Sequence, residues 1–358
     1  MLYNSLVHFT ERSTAAQTAY AQLQDAALNA QLSRSVADLR GSFGRKTVKG
    51  RGYWYFSFRE GARIRQIYVG PDTERVRALI AGKDAATTDA EALQALARAY
   101  AGHGGATLLP KHLRLIRRLN DFGFFRVGGV LVGTHAFLAY ANLLGVRWLG
   151  GDQTMDVDLA VPGKHIAIAL PTAPTIDLHD ALTSFEAGFI PTQSFTGQSG
   201  ATYRLSGDPD FQVDVVTTLG REGGKLKYFE ALGVSAQPLP FMDYLLTAPV
   251  QAVMLDRAGH HVVVNVPSPS RHAVHKLILH RVRELGYRTK ANKDLEQAAA
   301  LFQVFATQDP MTLEAAWAEA WARGPDWRQR LTEGLQALGR RWPGAAFGSL
   351  SFVTSSPS

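Results

Sequence analysis

Two aspartates one residue apart, Asp156 and Asp158 in Thr154-Met155-Asp156-Val157-Asp158-Leu159-Ala160, have types and spacing that could do chemistry. In a strand, residues two apart face the same side, so both carboxylates project together while Met155, Val157 and Leu159 face an apolar core. Their Cα atoms then lie roughly 6–7 Å apart, a separation that can bracket two divalent ions about 3.5–4 Å from each other. A third acid, Asp214, stands in Phe211-Gln212-Val213-Asp214-Val215-Val216-Thr217. A lone carboxylate among apolar strand residues is costly unless it is paired, solvated or metal-bound. If the two strands adjoin, Asp214 completes a three-carboxylate site whose hard oxygens suit magnesium or manganese rather than zinc. Alone, an Asp-x-Asp pair is more often a solvated edge or turn, so its meaning depends on what accompanies it.

What accompanies it is a glycine turn. The run GGVLV leads into Val132-Gly133-Thr134-His135-Ala136-Phe137, a strand that turns into a helix. Gly133 lets the backbone turn sharply and approach a ligand closely. The free N–H groups of the helix start, with the Thr134 hydroxyl beside them, suit phosphate oxygens. His135 reads as a helix-start residue packed locally. His272, His275 and His280 have no thiol or third ligand beside them, so they read as structural or solvent-facing rather than as zinc ligands.

Positioning these groups requires the short β-branched runs separated by Gly, Pro and Asp between Gly123 and about Val266, an α/β or α+β unit assigned to residues 106–266. Before it, residues 1–105 read as one long helix or two abutting ones from about Glu11 to Leu39, a glycine-rich break, a β-hairpin, and a helical stretch from Thr73 to Ala101 interrupted near Gly82. The hairpin alternates Tyr53, Tyr55 and Ser57 with Trp54, Phe56 and Phe58, and Arg63 to Val69 returns as its second strand. Pro110 to Leu119 reads as a basic helix entering the middle unit. After Pro267-Ser268-Pro269, residues 267–345 read as helices near 270–286, 290–307, 311–323 and 326–340, and 346–358 as a disordered tail. The charge-free stretch Val127 to Val146 is long enough for a membrane span. Its polar Gly133-Thr134-His135 and its division into a β-rich half and a helical half argue against one.

The chain's 358 residues include no cysteine, which excludes disulfides, thiolate zinc sites and cysteine nucleophiles. With no secretory pattern in MLYNSLVHFTERST, a cytoplasmic location is expected. The net charge of +7 favours polyanionic partners. Its focus is the hairpin region, where Arg45, Lys46, Lys49, Arg51, Arg63 and Arg65 are the candidate nucleic-acid contacts, with Tyr53 or Tyr55 for stacking. The competing reading is a solvated amphipathic sheet, packed on the first helix through Trp54, Phe56 and Phe58.

The order of these pieces resembles the DNA polymerase β nucleotidyltransferase superfamily: a Gly-Gly or Gly-Ser helix opening, Asp-x-Asp on a strand, then a third acid on a later strand. Gly133-Thr134 replaces the usual pair, and the spacing to Asp156 is longer than in the common form. In both departures the chain is similar to a bacterial branch, nucleotidyltransferase family 8, with VGTHAF, then GVRW at Gly145–Trp148, then TMDVDLA. The likeness extends to Gly41–Pro71 and Arg271–Ala298, and so covers most of the chain. It implies an α+β fold with a polymerase β-type core, a mixed sheet with flanking helices. The N-terminal helix and basic hairpin would precede that core, and a C-terminal helical bundle would follow it.

The resemblance further implies that Asp156, Asp158 and Asp214 are catalytic and hold Mg2+ (or Mn2+), with Gly133 and Thr134 at the nucleotide. Lys276 would match a phosphate-binding lysine of related enzymes. Lys293-Asp294 resembles a lysine–aspartate motif of abortive-infection-type nucleotidyltransferases. The implied reaction moves a nucleoside monophosphate from an NTP to a hydroxyl of RNA (tRNA included) or protein, releasing pyrophosphate. The alternative is a nucleic-acid-binding protein with a degenerate transferase fold. An antibiotic-modifying enzyme is less economical, because a small drug needs no polyanion-binding arm. Related families include toxin–antitoxin systems, and that role stays open, as does the oligomeric state.

Overall fold

A computed structural model describes residues 7–37, 41–48, 50–60, 63–162, 177–186, 188–193, 199–220, 223–282, 288–343 and 345. From the N-terminus come β1 (Phe9–Glu11), α1 (Thr14–Ala37), β2 (Gly41–Val48), β3 (Arg51–Glu60), β4 (Arg63–Pro71), α2 (Glu74–Gly102) and α3 (Pro110–Asp121). The middle of the chain forms β5 (Val130–Val132), α4 (Gly133–Leu143), β6 (Val146–Trp148), β7 (Asp156–Val161), α5 (Leu178–Thr183), β8 (Phe189–Gln193), β9 (Ser199–Leu205) and β10 (Asp208–Thr218). It continues through β11 (Lys227–Phe229), a 3-10 turn, β12 (Val234–Leu239), α6 (Met242–Leu245), β13 (Val250–Leu255) and β14 (His261–Val266). Among the described residues four helices follow: α7 (Pro269–Val282), α8 (Arg288–Gln308), α9 (Pro310–Trp321) and α10 (Pro325–Arg341).

Among the described residues the central sheet is mixed and has seven strands. β7 and β10 run parallel at its centre, and β5 lies antiparallel on the far side of β7. β10 is long enough to serve two neighbours on its other edge. β9 pairs antiparallel with its first part and β12 parallel with its end. The period of two sorts the side chains as expected. Val157 and Leu159 of β7, with Phe211, Val213 and Val215 of β10, are fully buried on the core face, each worth about 1.5–3 kcal/mol of burial. Met155 departs from this pattern: it precedes the strand and is exposed.

One hydrophobic core joins that face of the sheet to α4 and to the C-terminal helices, through residues such as Phe137, Tyr140, Leu277, Leu301, Phe302 and Leu338. A second core packs Tyr20 and Leu23 of α1 and Leu93, Ala97 and Tyr100 of α2 on Val253, Leu255 and Val263. There the Tyr20 hydroxyl accepts the Val253 N–H at 3.0 Å and donates to its carbonyl at 3.3 Å, so a phenol caps the edge of β13.

Several elements differ from the sequence-based expectation. The hairpin is a three-stranded sheet, because Gly41–Val48 pairs with β3 along its whole length despite its glycines. α2 runs through Gly82 without a break, since one helical glycine costs only about 1 kcal/mol relative to alanine. Phe9–Glu11 forms a short strand on β6. The sheet β2–β4 docks chiefly through β4 and Trp54 on the start of α2, not on the first helix. The Trp54 indole donates to Asp72 at 2.9 Å, and Gly70 packs on Val76. The side chains of Phe56 and Phe58 lie outside the described residues, as does the tail 346–358. No described helix is long and apolar enough to cross a membrane, and Val127–Val146 divides between β5, α4 and the start of β6.

Candidate functional site

The register of the two central strands builds the site. Asp214 lies directly opposite Asp158, and Gln212 opposite Asp156. On the other side of β7, Val132 lies opposite Asp158, which brings the β5–α4 turn against the same carboxylate. Gly133 has φ of +63°, and a Cβ there would lie 1.9 Å from Asp158 Oδ2. Only glycine both adopts that conformation readily and leaves room for the carboxylate. No side chain caps α4 at its N-cap, Val132, and Thr134 stands in the first turn.

Around the acids opens a cavity of about 510 Å3 lined by Gly133, Thr134, Asp156, Asp158 and Asp214 from the sheet and its turn, and by Lys276, Lys290, Lys293 and Asp294 from α7 and α8. Its remaining wall includes Thr192, Thr202 and Gln237. Burial pushes the Asp158 carboxyl up to about 6, with Asp214 and Asp156 adding to the rise and Lys276 and Lys290 opposing it. A carboxylate held in this way gains more than usual from a nearby cation. Both Asp214 oxygens accept hydrogen bonds, from the Thr202 hydroxyl at 2.6 Å and the Gln212 amide at 3.0 Å.

The three lysines differ in their commitments. Lys276 is buried and donates to buried Asp294 at 2.7 Å. Lys290 is exposed and stands 3.8 Å from Asp156 Oδ2. Lys293 donates to the Gln153 carbonyl, and burial, followed by the charge of Lys276, holds its pKa below the ordinary lysine value. Gln297 reaches Thr134 Oγ1 at 3.5 Å and the Gly151 carbonyl at 2.7 Å, tying α8 to the turn.

The structure thus brings Gly133, Thr134, Asp156, Asp158, Asp214, Lys276 and Lys293 into one cavity. Oxygen donors of this kind fit a hard divalent ion. Among the described residues, no three acid or imidazole side chains already converge on one metal position. Lys290, Asp294 and Gln297 join the site from α8. Their spacing with Lys293, at i, i+3, i+4 and i+7, marks one helix face, a signal present in the sequence. Gln212 also shares a strand face with Asp214, whereas nothing in the sequence marks Thr202.

His135 turns away from the cavity. It is fully buried and hydrogen-bonded to His112 at 2.8 Å, and His112 stacks on Phe211 with centroids 4.8 Å apart. Burial pushes His135 down to about 3 and His112 down to about 4. His272 and His275 are buried in α7, and His280 meets the Ala291 carbonyl at 2.9 Å.

None of the described basic candidates in the N-terminal sheet lines the cavity. Arg45 pairs with Asp72 at 2.7 Å, and Lys46 sits 4.9 Å from the centre of the Tyr55 ring. Arg51 is exposed, whereas Lys49 and the side chains of Arg63 and Arg65 lie outside the described residues.

Comparison with known families gives two matches. Residues 20–78 match a domain of unknown function (DUF6788), which spans most of α1, the three-stranded sheet and the start of α2. No curated protein and no solved structure matches the chain. Residues 111–322 match the family described as nucleotidyltransferase. That segment is more than half of the 358 residues and contains every residue lining the cavity, so the chain belongs to the nucleotidyltransferase family.

Proposed function

We propose that the cavity is a polymerase β-type active site that transfers a nucleoside monophosphate from an NTP to a hydroxyl acceptor on RNA, with Mg2+ or Mn2+ held by Asp156, Asp158 and Asp214. One observation carries this reading: Asp214 lies opposite Asp158 in a parallel strand pair, with a glycine turn and a helix N-terminus pressed against the same carboxylate. When bound, the ions would neutralise the triphosphate and favour the alkoxide of the attacking hydroxyl.

The chain's own groups supply the rest. The N–H groups at the start of α4 and the Thr134 hydroxyl meet phosphate oxygens. Lys290 and Lys293 face the same cavity and balance the added negative charge. Asp214, held at both oxygens by Thr202 and Gln212, is oriented to accept the acceptor's proton. The acceptor oxygen then bonds to the α-phosphorus, the bond from that phosphorus to the bridging oxygen breaks, and pyrophosphate leaves with the electron pair.

The test is incubation of the full chain with each α-labelled NTP, Mg2+ or Mn2+, and separate cellular RNA and protein fractions, beside Asp156→Ala/Asp158→Ala. Label entering RNA with wild type alone supports the proposal, and label entering protein instead moves the acceptor to a protein hydroxyl. No transfer, together with no nucleotide binding by calorimetry, leaves the degenerate, nucleic-acid-binding reading.

A further inference from the structure

The N-terminal sheet has two unlike faces. On one, Arg45 and the Trp54 indole converge on Asp72, which also receives Arg77 from α2. That face is spent on docking. On the other, strand register sets Lys46 opposite Tyr53, Gly44 opposite Tyr55, Tyr55 opposite Tyr68 and Ser57 opposite Gln66. The contacts agree. The Tyr68 ring centre lies 5.6 Å from that of Tyr55 and 6.1 Å from that of Tyr53, and Lys46 stands over Tyr55. Gln66 links Lys46 to Ser57. Gly44 has open space where a side chain would be, which leaves the flank of Tyr55 clear.

These tyrosines do not serve a core. None of the described residues of β2–β4 belongs to a hydrophobic cluster. Tyr68 is 53% exposed, whereas Tyr100, Tyr140, Tyr203 and Tyr244 are fully buried. The charge is equally lopsided. Between Gly41 and Pro71 stand seven Lys/Arg residues and one acid, a surplus of six against +7 for the whole chain. One exposed ring and two half-buried ones, bordered by cations, match a ligand with accessible planar faces and a regular negative backbone. A duplex hides its base faces, so the match is to a single strand.

We propose that this face binds single-stranded nucleic acid, with bases stacking on Tyr53, Tyr55 and Tyr68 and phosphates meeting Lys46 and Arg51. The binding is separate from the reaction assigned to the cavity and stands or falls without it.

The experiment is fluorescence anisotropy of the full chain with labelled twelve-nucleotide oligo(U), oligo(dT) and a twelve-base-pair duplex across a salt series, with poly-glutamate as competitor. Either single strand binds more tightly than the duplex. Tyr55→Ala and Tyr68→Ala each weaken binding by about tenfold, while Tyr68→Phe, which keeps the ring, binds like wild type. Lys46→Gln and Arg51→Gln each reduce the slope of log affinity against log salt by about 0.7. Asp156→Asn/Asp158→Asn binds the oligonucleotides unchanged, so failure of the catalytic reading leaves this result intact. The proposal is overturned by absence of binding at low salt, by preference for duplex, or by affinity indifferent to the tyrosines. Displacement by poly-glutamate as effective as by oligo(U) overturns it too and points to an acidic protein partner.

Discussion

Replacing Lys276 with methionine separates the two duties the structure gives this lysine. Its ammonium lines the cavity and also neutralises Asp294 at 2.7 Å, with only 9% and 3% of the two side chains exposed. Removing one partner of a buried pair costs about 3–5 kcal/mol, because the other charge remains buried without that cation. Asp294 also has a further interaction, so the lower end of that range is expected. That is a large share of the roughly 5–15 kcal/mol that keeps a typical domain folded. It corresponds to a fall in Tm on the order of 10 °C. The double variant Lys276→Met/Asp294→Leu removes both charges, and such swaps for apolar residues are often neutral or stabilising by about 1–4 kcal/mol. Thermal melts followed by circular dichroism therefore show a low Tm for the single variant and a recovered Tm for the double. Calorimetry with a non-hydrolysable NTP and Mg2+ shows weakened nucleotide binding in both. A single variant within about 1 kcal/mol of wild type would refute the buried-pair reasoning. Recovery of nucleotide affinity in the double variant would show that Lys276 acts only through Asp294.

Gly133→Ala places a Cβ 1.9 Å from Asp158 Oδ2 on a backbone with φ of +63°. It should cost about 1–2 kcal/mol from the left-handed conformation alone and abolish label transfer by displacing the carboxylate; near-wild-type transfer would count against the assigned site. Buried His112, His135 and His272 are all held below the ordinary histidine value of 6.5 by burial. The unfolded chain therefore binds protons first, and stability is lost as pH falls below 6.5. At pH 5 His135 should remove about 2 kcal/mol, with His112 and His272 acting in the same direction and Asp158, whose folded-state pKa is raised, in the opposite one. Equal urea midpoints at pH 7 and pH 5 would contradict this. Tyr20→Phe deprives the Val253 N–H of its 3.0 Å partner and should cost about 1–3 kcal/mol without changing transfer, as read by urea titration and the label assay. Unchanged stability would mean that water replaces the phenol.

What was legible in the sequence is what local periodicity encodes. Asp156 and Asp158 share a face because a strand repeats every two residues, and Gly133 stood out because few residues other than glycine open a helix from a left-handed turn. The pairing of Asp214 with Asp158 was a condition rather than a reading, since strand register is set by contacts far apart in sequence. The buried Lys276–Asp294 pair was hidden for the same reason: each residue belongs to a recognisable run, but their contact depends on how α7 packs on α8. β2 was missed because Gly41 and Gly44 weaken the strand pattern, while full-length pairing with β3 overrides that weakness. The split of the basic candidates needed Asp72, a residue just beyond the strands that draws Arg45 to the docking face.

The site joins two parts of the chain that the sequence separates. Asp156, Asp158 and Asp214 come from the sheet, while Lys276, Lys290 and Lys293 come from helices more than sixty residues beyond Asp214. What holds them together is the apolar core on the opposite face of the sheet, shared by Val157, Leu159 and Val213 with Leu277, Leu301 and Phe302. Three acids facing one cavity repel one another, and burial raises Asp158 further, so the arrangement depends on positive charge being delivered to the same place. Lys276 supplies part of it but is itself neutralised by Asp294, while Lys290 and Lys293 stand nearer the opening with weaker commitments. The cations already present therefore fall short of cancelling the acids, a balance that the proposed divalent ions would complete. The helices are thus as much a part of the candidate site as the strands that carry the carboxylates.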